Sequence, residues 1–211
     1  MLTVVGCLVE AHDFRLVALA AAICALSALT TVCLVSHARR AEAWVQGGWL
    51  AVAAAAGGFG IWATHFIAML AFAPGVPSGY DVALTGLSLV LAVILVGSGL
   101  SLAVLFGGRA AAWAGGTILG LGIAAMHYTG MAAYDVAGHK AWDPGTVAVS
   151  LLIGSALGGA ALAAQVGARG LLRQLPAALL LLLAICSHHC PTSAPVGQIE
   201  GLRERRMAGS S

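Results

Sequence analysis

Five stretches of this chain run for 20 residues or more without a formal charge: 16–35, 45–73, 82–108, 110–134 and 146–168. At 1.5 Å per residue, each is long enough as a helix to cross about 30 Å of hydrocarbon. A bilayer leaves no water for backbone groups, so a segment that crosses it must satisfy its own hydrogen bonds. Helices do this within one segment. A sixth run, 174–187, is shorter and reaches a workable span only by continuing past His188 and His189.

Of the 211 residues 60% are hydrophobic and 9% charged, against about 25% charged in a soluble domain. The net charge of +2 gives no basis for a nucleic-acid partner. There is no carboxylate pair, no Ser-His-Asp arrangement and no phosphate loop, so an enzyme is not expected. The opening MLTVVGCLVEAHDF lacks a basic n-region and is read as part of the mature chain. Five cysteines without a CxxC pair argue for small apolar packing residues rather than a disulfide framework.

The apolar runs repeat. Residues 58–72 read GFGIWATHFIAMLAF and residues 120–134 read GLGIAAMHYTGMAAY, with seven identities in 15 positions at an offset of 62. His65 pairs with His127, Met69 with Met131, Asp81 with Asp143 and Ser88 with Ser150. A further step of 62 from His127 lands on His189. The expected fold is all-α and polytopic: six transmembrane helices arranged as three helix hairpins, each starting near an aspartate (Asp13, Asp81, Asp143) and ending in a histidine motif. Small residues such as Gly116 and Gly120 would let these helices approach closely. The aspartates read as helix N-caps, with hydrogen bonds that orient the imidazoles as the alternative. Tyr128 and the tryptophans read as interfacial anchors, and His37 and His139 as solvated loop residues. Arg39, Arg40, Arg109, Arg169 and Arg173 collect on one side against Arg15 and Lys140 on the other. The positive-inside rule then puts the N-terminus and the motif ends outside.

A histidine four residues before a methionine shares one helix face with it. Imidazole with thioether is a donor pair suited to copper, above all Cu(I). The candidate metal ligands are His65, His127 and His189, with Met69, Met126 and Met131 in support. The same histidines could instead be helix-packing residues or a proton relay. Ionisable groups inside a membrane most often mark a functional site. Few polar groups lie between the motifs and the inner face (Ser27, Thr30, Thr31, Gln46), which ranks a copper or proton transporter second to a sensor.

Met126-His127-Tyr128-Thr129 spells the motif of the MHYT domain family, and residues from about 10 to 190 resemble that family, with Trp62–Met69 as a variant copy. The resemblance implies a membrane sensor module of the bacterial inner membrane that binds copper through the motif Met and His residues. It further implies sensing of oxygen, carbon monoxide or nitric oxide, often in fusion with cytoplasmic domains that make or degrade cyclic di-GMP. Two departures stand out. No output domain follows, so a cytoplasmic signalling partner of the cyclic di-GMP or kinase type would act in trans. The third motif is broken: Ser193 takes the methionine position and Pro191 interrupts the helix. The expected organisation is therefore an N-terminal lead (1–10), a membrane sensor domain (11–190) and a polar, disordered tail (191–211), with a frameshift or truncation near residue 190.

Overall fold

The computed structural model describes residues 13–71, 78–136, 143–168 and 170–188. His189, Cys7, Cys190, His139 and the tail lie outside the described residues. Among those described there are six helices: α1 (Phe14–Ala38), α2 (Ala43–Leu70), α3 (Val82–Leu105), α4 (Gly108–Ala133), α5 (Pro144–Ala164) and α6 (Leu171–Cys186). Helices α1 to α5 are long and apolar enough to cross a membrane. α6 has 16 residues, about 24 Å at the helical rise, which agrees with the short sixth run in the sequence.

The helices form a closed ring. Each packs on its sequence neighbours, and α6 returns to α1. Across the ring α4 touches both α2 and α6. The apolar windows of α2 and α4 are 50% and 56% buried, against 28% for α1 and 39% for α3 and α5. The second helix of the first two hairpins therefore lies inward, and those are the helices that carry the histidine motifs.

Local chemistry explains the helix ends. Asp13, Asp81 and Asp143 are all N-caps, accepting from the backbone N–H of Arg15, Leu84 and Thr146 at 2.9, 2.8 and 2.7 Å. The capping reading of the three aspartates holds. Asp143 also accepts from the Thr146 hydroxyl at 2.6 Å. These two bonds hold its carboxyl below the usual carboxylate range, keeping a negative charge at the positive end of α5. At the opposite end of the bundle, Gly107 and Gly108 adopt φ of 64° and 76°, a left-handed region that lets α3 turn tightly into α4.

The first two hairpins also close on themselves. The Asp13 N–H donates to the Ala71 carbonyl at 2.9 Å, and the Asp81 N–H to the Ala133 carbonyl at 2.8 Å. Ala71 and Ala133 are equivalent under the 62-residue offset, so the same bond recurs in two copies. Between these ends, β1 (Ser78–Tyr80) and β2 (Tyr134–Val136) pair antiparallel with Tyr80 opposite Tyr134.

Two sequence readings change here. His37 lies in the last turn of α1, not in a loop. Its Nδ1 donates to the Cys33 carbonyl at 2.8 Å, and its ring packs on Trp49. Trp62 does more than anchor at an interface: it is half-buried, and its indole N–H donates to the Thr85 carbonyl at 3.3 Å, tying α2 to α3.

A close backbone-to-backbone contact joins α4 and α5. A Cβ added at Gly116 would strike the Gly158 carbonyl, and one at Gly158 would strike the Gly116 carbonyl. Gly158→Ala is expected to destabilise the bundle by about 1–3 kcal/mol through overpacking, lowering Tm by several degrees. Gly86 has nothing within 4 Å of such a Cβ. Gly86→Ala should leave Tm unchanged or raise it through better helix propensity. Thermal unfolding in one detergent compares them, and equal Tm values would contradict the close contact.

Candidate functional site

His65 is five residues from the end of α2 and His127 six from the end of α4. The ring closure brings both helices to the bundle centre, and both side chains are buried, at 0% and 1% exposure. Their Nδ1 atoms lie 3.2 Å apart, with ring centroids 4.9 Å apart and planes at 74°. Two neutral imidazoles at that distance need one donor and one acceptor. One ring then carries its proton on Nδ1 and the other on Nε2.

The third imidazole is His188, immediately after α6. It is 1% exposed, and its ring centroid lies 6.0 Å from that of His127. Its Nδ1 donates to the Ala184 carbonyl at 3.0 Å. A carbonyl can only accept, so the neutral ring is protonated at Nδ1 and its lone pair is on Nε2. The strict period pointed to His189, which lies outside the described residues. The described contacts put the preceding histidine beside His127. α5 is 21 residues against 24 in α3, and residues 165–170 separate α5 from α6, where only 106–107 separate α3 from α4. The third hairpin therefore does not keep the geometry of the second, and the tandem His188-His189 was the signal that more than one position needed weighing.

Two glycines make room for these rings. A Cβ on Gly130 would come within 2.5 Å of His65 Nε2, and one on Gly154 within 2.8 Å of His188 Nε2. At the offset of 62 these positions hold Ala68 and Ala92, so the cradle is not a property of every copy and the repeat did not reveal it.

Of the proposed methionine ligands, Met126 is buried in the apolar core at 1% exposure. Met69 and Met131 are half-buried, one turn beyond His65 and His127 toward the helix ends. The donor chemistry tests whether a metal fits. Two nitrogens bound to one tetrahedral ion at 2.0–2.1 Å are about 3.3 Å apart, close to the observed Nδ1 separation. His188 stands farther off, so no group of three or more His, Cys, Asp or Glu among the described residues has the geometry of a closed metal site. The described residues thus supply a close pair, a neighbouring third ring and nearby thioethers.

The aromatic shell is not an interfacial belt. The Ser150 hydroxyl donates to the Val147 carbonyl at 2.9 Å, which leaves its oxygen to accept from the Tyr128 hydroxyl at 2.5 Å. Tyr128 therefore bonds α4 to α5, which corrects the anchoring reading. Phe66, its equivalent, lacks the hydroxyl and packs edge-on against Tyr80 at 5.5 Å. Tyr80 in turn packs on Tyr134 at 5.3 Å, and burial together with Tyr134 raises the Tyr80 pKa. Phe66 and Tyr128 also pack edge-on against His65 and His127, at 5.0 and 5.2 Å.

The family described as "Bacterial signalling protein N terminal repeat", MHYT, matches residues 58–116 and again 120–178. The chain belongs to the MHYT family. The two matched units agree with the tandem repeat of about 60 residues. An MHYT relative from Caulobacter vibrioides, an uncharacterized signaling protein, is 40% identical over 183 residues, 87% of this chain and 23% of its own. Two relatives come from Pseudomonas aeruginosa. MucR, a bifunctional diguanylate cyclase/cyclic di-GMP phosphodiesterase, is 38% identical over 74% of this chain and 23% of its own. NbdA, a cyclic di-GMP phosphodiesterase, is 41% identical over 63% of this chain and 18% of its own. The chain thus spans less than a quarter of the length of these relatives. No solved structure matches it. What is shared is an MHYT membrane module found in signalling proteins linked to cyclic di-GMP enzymes.

The Tyr128–Ser150 bond makes a separable prediction. Tyr128→Phe and Ser150→Ala should each cost about 0.5–1.5 kcal/mol. The double variant should cost no more than the larger single loss, because both remove the same bond. Simple additivity in thermal or denaturant unfolding would show that the two hydroxyls do not interact.

Proposed function

We propose that this MHYT module is the sensory input of a membrane signalling system, and that it binds copper at one end of the bundle through His65, His127 and His188. The observation that carries this reading is the buried Nδ1–Nδ1 pair at 3.2 Å. Met131 and Met69, a turn away, are the supporting ligands, and Met126 shapes the apolar wall. The soft-leaning donor set favours Cu(I) over zinc, magnesium or calcium. Bound there, copper would supply an open coordination position for oxygen, carbon monoxide or nitric oxide.

The chain's own residues do the rest. Gly130 and Gly154 admit the rings, the Ala184 carbonyl fixes the tautomer of His188, and the aromatic shell limits water. The module itself is read as non-enzymatic. Its output goes to a cyclic di-GMP or kinase-type partner inside the cell, in the same polypeptide or in another. It sits in the inner membrane with the histidine end outward, as the arginine distribution favours. Transport is the weaker alternative. Ile61, Leu119, Ile123 and Leu181, each at 2% exposure or less, sit in the apolar core of the bundle, which a transported ion would have to pass.

Elemental analysis of the purified protein in detergent or nanodiscs tests this. Wild type is expected to retain copper near one equivalent, and His65→Ala/His127→Ala to lose nearly all of it while keeping its helical content. His188→Ala should weaken retention by about tenfold or more, as loss of a metal-site residue does. Copper absent from wild type, or unchanged in the double variant, would overturn the reading.

A further inference from the structure

A second polar site lies at the other end of the bundle, about 37 Å from the aspartate caps at the rise of the 25-residue α1. There the C-terminal ends of α1 and α5 meet around a cavity of about 120 Å³ lined by Ser36, Arg39, Arg40, Gln165, Gly167 and Ala168. The volume exceeds several times what one water needs. No acidic residue lines it.

Arg39 is the C-cap residue of α1, and its Nε and Nη2 are buried with no hydrogen-bond partner. These two atoms form one edge of the guanidinium, the fork that binds carboxylate or phosphate in a bidentate way. A buried donor without a partner is costly, and more so when charged. Burial also lowers the Arg39 pKa, the direction expected when a cation loses water without gaining an anion. Gln165, at 2% exposure, donates from Nε2 to the Val32 carbonyl and, at 3.5 Å, to the Ser36 hydroxyl. That orientation leaves its Oε1 buried and without a partner. The cavity therefore offers a two-donor cationic edge and one separate acceptor.

Helix C-termini carry partial negative charge, which opposes an anion. Here several terminal carbonyls are already occupied. Val35 accepts from the Arg39 N–H, His37 from Arg40 and Ala41, Ala163 from Val166, and Gln165 from Ala168. With Arg40 at the rim, the balance at the cavity is positive.

We infer that the cavity between α1 and α5 binds a phosphate group that carries a donor of its own, held by the Arg39 fork and by Gln165 Oε1. A phospholipid headgroup and free hydrogen phosphate share this chemistry. The first has a hydroxyl or ammonium next to its phosphodiester, and the second has a P–OH.

The experiment titrates the purified full chain in a neutral detergent with short-chain phosphatidylglycerol in one arm and inorganic phosphate in the other, following Tm. Wild type is expected to gain several degrees in at least one arm. A shift with lipid alone assigns a headgroup site, and a shift in both arms assigns a site open to soluble phosphate. Arg39→Gln should weaken the apparent affinity at least tenfold. Arg109→Gln, at the same end but outside the cavity, should leave it within twofold. If Arg39→Gln does not fold, Arg39→Lys replaces it: it keeps the charge without the fork and should still lose most of the affinity. No shift in either arm, an equal loss in Arg109→Gln, or full affinity in Arg39→Lys would overturn the inference.

Discussion

Inside a bilayer a backbone carbonyl at a helix end has no water to turn to, so the hairpins of this protein must close their own ends. The bonds from the Asp13 N–H to Ala71 and from the Asp81 N–H to Ala133 do this in two copies. They also fix depth. Each ties the start of an outer helix to the end of an inner one, so the histidine six residues before that carbonyl, His65 or His127, comes to the same level. Ring closure then turns both inward. The 3.2 Å approach of their Nδ1 atoms follows from two histidines set six residues before equivalent closing bonds and turned to one centre.

The common level of the two histidines was legible in the sequence. Long uncharged runs forced membrane helices, and the offset of 62 gave hairpins with a histidine at one end of each. The aspartates preceding the apolar runs gave the caps. Such features repeat, and a repeat shows in one sequence without a structure. The features that were not legible are those in which the copies differ. His188, one residue short of the strict period, lies beside His127. Tyr128 bonds Ser150 while Phe66 cannot bond Ser88. Gly130 and Gly154 hold the imidazoles where the equivalent positions carry alanine. Each depends on which side chain of a neighbouring helix lies opposite, and a period within one chain says nothing about that.

The differences break a threefold arrangement that would otherwise be uniform. Three equal copies would present three equal rings. This bundle presents a tight pair on α2 and α4 with a third ring set apart on the end of α6. The asymmetry has a physical source in α6, the shortest helix at 16 residues, with Pro176 inside it. Proline removes one helical hydrogen bond and crowds the preceding turn. On the α5 side the His188 ring lies against Gly154.

A sensor needs an element with two accessible arrangements, since a rigid bundle passes on nothing. α6 best meets that requirement. It packs on α5 and α1, and those same two helices are joined at the far end by the bond from Gln165 to the Val32 carbonyl. A shift of α6 at His188 therefore bears on both walls of the Arg39 cavity. The pair on α2 and α4 lies on the two most buried of the membrane-length helices, where a shift would disturb the most packing. Occupancy of the proposed phosphate site would stiffen the α1–α5 seam. That would raise the cost of moving α6 and set the threshold at which the histidine end responds.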